Sequence, residues 1–207
     1  MTLMHSANSQ PRLFQFLVTS GRRDGNAELL ARHAATSLPA ETDQRWLHLS
    51  DFALPPFEDR RHEPGFHYGE VSGNERLLLD ATLAATDLVL VVPLYWYSVP
   101  ASAKLYLDYW SSWLRVPGAD FKARMSDKVL WGVSAFSEED AGRVEPLVGT
   151  LRLSADYLGM GWGGVLLGRG NRPGDVMADK AALSAARTFF GGRRAAADEQ
   201  LRSLILT

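Results

Sequence analysis

The sequence predicts an α/β protein in which a five-stranded parallel sheet carries helices on both faces. Three observations lead there. Five short apolar runs alternate with longer amphipathic stretches along the chain. The third run, Leu88-Val89-Leu90-Val91-Val92, is apolar at every position, as a strand buried on both faces requires. No repeat, low-complexity tract or linker divides the 207 residues, so 1–207 reads as a single domain.

The first strand is 13–18, Leu-Phe-Gln-Phe-Leu-Val. A helix is predicted over 26–38: Asn26 can cap it, Glu28 favours its first turn, and Leu30, Ala34 and Leu38 recur at helical spacing. The alternation Trp46-Leu47-His48-Leu49 suits a half-exposed edge strand. The stretch 50–70 is too rich in proline and charge to be regular, and a helix follows over 74–84. Beyond the third strand, Ser98 can cap a helix that carries Pro100 in its first turn and runs to Leu114. A fourth strand over 129–133 and a helix over 141–158 come next, then a fifth strand over 165–167 and a helix over 180–190. Residues 1–11 read as an irregular lead and 193–206 as an extra short helix.

Composition narrows the function. Lys and Arg number 22 against 24 Asp and Glu, a balance without the basic excess of a nucleic-acid binder. With no cysteine, thiolate zinc sites, iron–sulfur ligation and cysteine nucleophiles are excluded. His5, His33, His48, His62 and His67 show no metal-binding spacing, so no metal is expected. No apolar run is long enough to span a membrane, and 1–11 lacks the apolar centre of a signal peptide; a cytoplasmic protein is expected.

In a doubly wound sheet the ligand lies beyond the carboxyl ends of the strands, where the winding reverses. The loop after the first strand reads Thr19-Ser20-Gly21-Arg22-Arg23-Asp24-Gly25-Asn26-Ala27. Small residues, an arginine and the positive end of a helix suit an anion. A tight turn with two solvated arginines is the competing account. Neither the nucleoside-triphosphate loop nor the dinucleotide fingerprint follows this strand. The run Gly159-Met160-Gly161-Trp162-Gly163-Gly164 does fit G-x-G-x-x-G, but it follows a helix and precedes a strand, so it reads as a helix stop and turn. After the third strand, Pro93-Leu94-Tyr95-Trp96-Tyr97-Ser98 places three aromatics where a polar loop is usual, as a flat heteroaromatic ligand or a subunit contact would require.

Together these loops resemble those of the flavodoxin-like NAD(P)H-dependent FMN reductase and quinone reductase superfamily. The matching elements are Thr19-Ser20-Gly21-Arg22, Gly25-Asn26-Ala27, Pro93-Leu94-Tyr95-Trp96, and Lys104 with Asp108; the resemblance spans 13–168. It implies strand order 2-1-3-4-5 and FMN at the junction of the first and third strands. Ser20, Arg22, Asn26 and Ala27 would cradle the phosphate. Pro93, Leu94, Tyr95, Trp96 and Tyr97 would border the isoalloxazine, and Ser134, Ala135 and Phe136, expected in the loop after the fourth strand, would close its pyrimidine side. NADPH or NADH would be the co-substrate, and a quinone, flavin, nitro- or azo-aromatic the acceptor. Thr19 and Ala27 depart from the commoner Gly and Thr, which removes a hydroxyl from the phosphate site.

The resemblance also points to a homodimer or homotetramer. Tyr106, Tyr109, Trp110 and Trp113 share one broad helical face, which fits either a subunit interface or the core. The residues assign no catalytic acid or base. Two rival functions stand beside the reductase: a flavodoxin-type electron carrier that takes no hydride, and a flavin-free interaction protein on the same fold. Arg22, Arg23 and the near-neutral charge lean away from the carrier.

Overall fold

The computed structural model describes residues 12–191, so the predicted lead 1–11 and helix 193–206 lie outside the described residues. Five strands form one parallel sheet: β1 (Leu13–Val18), β2 (Asp43–His48), β3 (Asp87–Val91), β4 (Val129–Phe136) and β5 (Gly161–Arg169). Their order is β2-β1-β3-β4-β5, as the family resemblance implied. β2 begins at Asp43 rather than at Trp46, because it pairs with β1 along its whole length, from Leu13↔Asp43 to Val18↔His48. Its first three residues face solvent on the sheet edge and carry no apolar alternation to announce them.

The helices are α1 (Asn26–Ala35), α2 (Gly73–Ala84), α3 (Ala101–Trp113), α4 (Phe121–Ser126), α5 (Glu145–Leu158) and α6 (Lys180–Ala186). Gly25, not Asn26, caps α1, and α3 opens after Pro100 without a side-chain cap from Ser98. One 3-10 turn (Ala141–Val144) precedes α5, and another (Phe189–Gly191) separates the last predicted helical residues from α6. α4 escapes the sequence pattern because it is only six residues long, with Phe121 and Met125 its buried members.

One core face lies under α2, α3 and α5, and the other under α1 and α6. Tyr106, Tyr109, Trp110 and Trp113 of α3 are all buried in the first, so core packing accounts for the aromatic face. The Tyr106 hydroxyl shares a hydrogen bond of 2.6 Å with Thr82, and burial pushes its pKa well above the ordinary phenol value. On the other face Phe16 stacks on Trp46 at 3.9 Å between ring centroids, and Phe190 packs edge-on against Phe14, Phe16 and Trp131.

Trp131 also explains the glycine run. A Cβ on Gly163 would lie 2.2 Å from its indole, so β5 keeps glycine there. Of the expected stop and turn, only Gly159 (φ 70°) ends a helix. Gly161, Gly163 and Gly164 belong to a strand whose register shifts beside Leu130 and Trp131.

At the end of the sheet away from these strand termini, Lys128 is buried, and its ammonium donates to the carbonyls of Leu83 (2.8 Å) and Ala85 (2.5 Å). Burial lowers its pKa from 10.5 to about 8. Between those values the unfolded chain binds the extra proton, so this group's contribution to stability rises with pH. Urea denaturation from pH 8 to 10 should therefore show the native protein gaining stability relative to Lys128→Met; parallel curves would refute the burial effect.

Candidate active site

The carboxyl ends of β1 and β3 lie side by side, with Val18 opposite Val91. One residue further, the Thr19 main-chain N–H and the Thr19 hydroxyl both donate to the Val91 carbonyl, each at 3.0 Å. The Thr19 hydroxyl is thereby turned into the protein. Ser102, in the first turn of α3, donates at 2.6 Å to the Thr19 carbonyl and ties the two loops together. Sequence reasoning missed Ser102; the one signal for it was a small hydroxyl two residues after Pro100.

From Ser20 the chain turns sharply into α1. The Arg22 N–H donates to the Ser20 hydroxyl at 3.0 Å, and Asp24 holds a left-handed conformation with φ 54°. The Asp24 N–H donates to the carboxylate of Glu28, also at 3.0 Å. The N–H groups of Gly21, Arg23, Asn26 and Ala27 find no acceptor among the described residues. Free amides at a helix N-terminus attract anions. Nothing lies within 4 Å of the place a Gly21 Cβ would occupy. Arg23 is engaged with Asp51 at 2.6 and 2.8 Å, whereas Arg22 is exposed and makes no ion pair among the described residues.

Asn26 departs from expectation. Its side-chain N–H₂ donates to the Arg172 carbonyl at 2.9 Å, and its Oδ1 accepts from the Gly174 N–H at 2.9 Å and the Val176 N–H at 3.4 Å. The amide is committed to the segment after β5, which leaves only the main-chain N–H for a ligand. A Cβ on Gly170 would meet Asn26 Nδ2 at 2.7 Å, so a glycine there admits this latch.

After β3, the Leu94 N–H donates to the Ala135 carbonyl at 3.2 Å. Tyr95 and Ser98 then exchange two main-chain bonds, of 3.1 and 3.0 Å, around a two-residue turn. Both central residues are left-handed, Trp96 at φ 50° and Tyr97 at φ 61°. Such turns normally recruit Gly and Asn. Holding a non-glycine residue there costs roughly 1–3 kcal/mol. The turn presents Trp96 93% exposed and leaves the N–H groups of Trp96 and Tyr97 free, those of Leu94 and Tyr95 being already used. Tyr97 accepts a 3.3 Å hydrogen bond from Arg143, whose guanidinium lies 5.9 Å from the ring. Arg143, exposed in the turn before α5, was not singled out from the sequence.

Ser134, Ala135 and Phe136 are placed otherwise than expected. β4 runs through Phe136, all three are buried, and the loop opens at Ser137. Three more apolar or small residues beyond Val133 let the strand continue against β5, from Ser134↔Leu167 to Phe136↔Arg169. The Ser134 hydroxyl is buried without a partner among the described residues, inside the sheet rather than at its rim. The stretch 50–70 packs against α3 and on itself. Phe57 packs edge-on against Tyr109, whose hydroxyl donates to the Pro55 carbonyl, and Arg60 lies 4.0 Å above Phe66.

The free amides and unpaired Arg22 fit a phosphate, and the exposed aromatic turn with two free N–H groups fits a flat ring system. A five-stranded doubly wound sheet carrying both at its switch point defines a flavodoxin-like nucleotide-binding protein. Residues 15–160 match the family model for NADPH-dependent FMN reductase, and the chain belongs to that family. It is 32% identical over 166 residues to the Bacillus subtilis protein YwqN, provisionally named an NAD(P)H-dependent FMN-containing oxidoreductase, covering 80% of this chain and 89% of that one. The solved Trp repressor binding protein from Bacillus subtilis superposes with a TM-score of 0.67 at 26% identity, over 85% of this chain and 96% of that one. An FMN-dependent NADH-azoreductase from Bacillus anthracis, solved with FMN, shares the fold, with a TM-score of 0.59 at 13% identity over 85% and 96% of the two chains. The protein is thus an FMN-dependent oxidoreductase that uses NAD(P)H, not an electron carrier.

Loss of the Asn26 latch should be felt more in stability than in cofactor affinity. Asn26→Ala leaves the part-buried Gly174 N–H without its acceptor and should cost about 0.5–1.5 kcal/mol in urea denaturation, the net range for an ordinary hydrogen bond. A variant of native stability would show the latch to be incidental.

Proposed function

We propose that the β1–α1 loop holds the phosphate of FMN and that the turn after β3 borders its ring system, with a quinone, free flavin, nitro- or azo-aromatic as the electron acceptor. The observation that carries this reading is the cluster of unpaired main-chain N–H groups beside the unpaired Arg22, joined through Thr19 and Ser102 to the exposed aromatic turn. Ser20 shapes the loop by accepting from Arg22 N–H, and the main-chain N–H groups of Asn26 and Ala27 face the anion with the positive end of α1 behind them. Pro93 and Leu94 carry the chain out of the sheet, and Tyr95, Trp96 and Tyr97 supply exposed ring surface next to free N–H donors.

Bound FMN would supply the two-electron redox chemistry between NAD(P)H and the acceptor. The protein binds, orients and leaves one side of the site open, and no side chain here needs to act as acid or base. The Trp96 and Tyr97 N–H groups, free of main-chain acceptors among the described residues, would donate to ring heteroatoms. Arg143 steadies Tyr97 from outside the turn.

The cytoplasm is the compartment that suits an NAD(P)H user, and a homodimer or homotetramer is the assembly we favour. Supporting the assembly, Leu153 and Tyr157 of α5 stand 65% and 67% exposed beside Leu107 of α3 and Leu114 at its C-cap, an apolar groove that a second copy would cover.

Purified protein should be yellow and should bleach on anaerobic addition of NADPH or NADH. A colourless protein that takes up no FMN would overturn the reading. Arg22→Ala should weaken FMN binding by about 1–3 kcal/mol, the scale of a charged hydrogen bond, in a fluorescence titration of apoprotein. Unchanged affinity would remove Arg22 from the site.

A further inference from the structure

The phosphate loop rests on a buried carboxylate that neither the loop motifs nor the family match singles out. Glu28, in the first turn of α1, is 2% exposed. Its Oε2 accepts from the Asp24 N–H at 3.0 Å. Its Oε1 accepts from Arg32, at 3.0 Å from Nε and 2.6 Å from the terminal nitrogen, and lies 3.2 Å from Nε2 of the buried His48 at the end of β2. Arg32 in turn lies 4.3 Å above Trp46, the ring that stacks on Phe16. One carboxylate therefore connects the loop after β1 with its own helix and with the neighbouring edge strand.

A negative charge this close to an anion site would ordinarily weaken it. Here Arg32 sits on the same carboxylate and offsets its charge, and Oε2 is spent on a main-chain donor. That donor belongs to Asp24, the residue whose φ of 54° a non-glycine side chain resists. The bond holds the strained residue in place and so determines where the N–H groups on either side of it, from Gly21 to Ala27, are aimed.

We propose that Glu28 is a positioning residue that preorganises the loop for the phosphate, and thereby makes the protein select phosphorylated flavin over riboflavin. The inference rests on the phosphate reading of the β1–α1 loop given above. A general packing role for Glu28 would affect both flavins alike; a role in aiming the loop affects only the one that carries a phosphate.

The test is a fluorescence titration of apoprotein with FMN and, separately, with riboflavin. Glu28→Ala should raise the Kd for FMN about tenfold, the effect of one charge-assisted hydrogen bond, and leave the Kd for riboflavin within about twofold on the same scale of argument. Glu28→Gln keeps a carbonyl for the Asp24 N–H but turns its N–H₂ towards Arg32, and should recover part of the FMN affinity lost in Glu28→Ala. Should Glu28→Ala not fold, Glu28→Asp, which keeps the charge but withdraws it from Asp24, should give the same split. Equal losses for the two flavins, or no loss for either, would overturn the proposal while leaving the phosphate site standing. If the native protein itself bound FMN and riboflavin equally, the phosphate reading would fall, and this inference with it.

Discussion

Two donors of Thr19 converge on the Val91 carbonyl, and the site depends on that junction. In a doubly wound sheet the chain leaves β1 towards one face and β3 towards the other, so nothing in the winding keeps the two loops together at their mouths. Thr19 extends the β1–β3 ladder one step past the last paired residues, and Ser102 closes the circuit from α3 to the Thr19 carbonyl. Each bond alone contributes on the order of 1 kcal/mol. Their geometric effect is larger: the amides opening α1 and the turn carrying Trp96 are fixed in one frame. The family more commonly has glycine where Thr19 stands, and this hydroxyl serves the frame rather than the phosphate.

The two ends of the sheet are built on opposite terms. At the amino end, buried Asp87 accepts from Arg12, from the Thr86 hydroxyl and from the Trp131 indole N–H, and Lys128 caps two carbonyls at and beyond the end of α2. The polar groups named there are paired within the protein, so that end leaves none of those donors for a ligand. At the carboxyl end, N–H groups stand without acceptors, two bulky aromatics hold left-handed conformations, and an indole lies almost fully in solvent. Strain and exposure of this kind concentrate where a ligand is to be held. The polarity of the molecule thus follows from its chemistry: one end pairs its polar groups, and the other keeps its donors free.

How far the sequence reveals this depends on the range of the interaction. The all-apolar 88–92 run and the helical spacing of Leu30, Ala34 and Leu38 depend on local burial and mark β3 and α1, although α1 ends at Ala35, short of Leu38. The loop residues 19–27 and 93–98 were legible because glycine, arginine and clustered aromatics are unusual at strand ends. What stayed hidden depends on partners distant in the chain. Gly163 is glycine because of Trp131, and Asn26 is asparagine because of the backbone around Arg172. Ser134 looks like a loop residue until β5 is laid beside it. Ser102, Glu28 and Arg143 carry no local signature, since each acts on a residue of another loop or on a main-chain group.

Preorganisation links these features to affinity. A loop that had to order itself around a phosphate would lose conformational entropy on binding, and the loss would come directly out of the affinity. Here the loop is held at both ends before any ligand arrives: at Thr19 by Val91 and Ser102, and at Asp24 by Glu28. Between those anchors the donors that remain free among the described residues are main-chain N–H groups and the Arg22 guanidinium. The grip on an anion then comes from position and permanent charge. The aromatic turn, by contrast, is closed by two main-chain bonds and touched from outside by one long contact from Arg143. On the function proposed above, the first of these would seat the phosphate and the second would border the rings, so the ordering cost of binding falls on neither end of the loop that grips the anion.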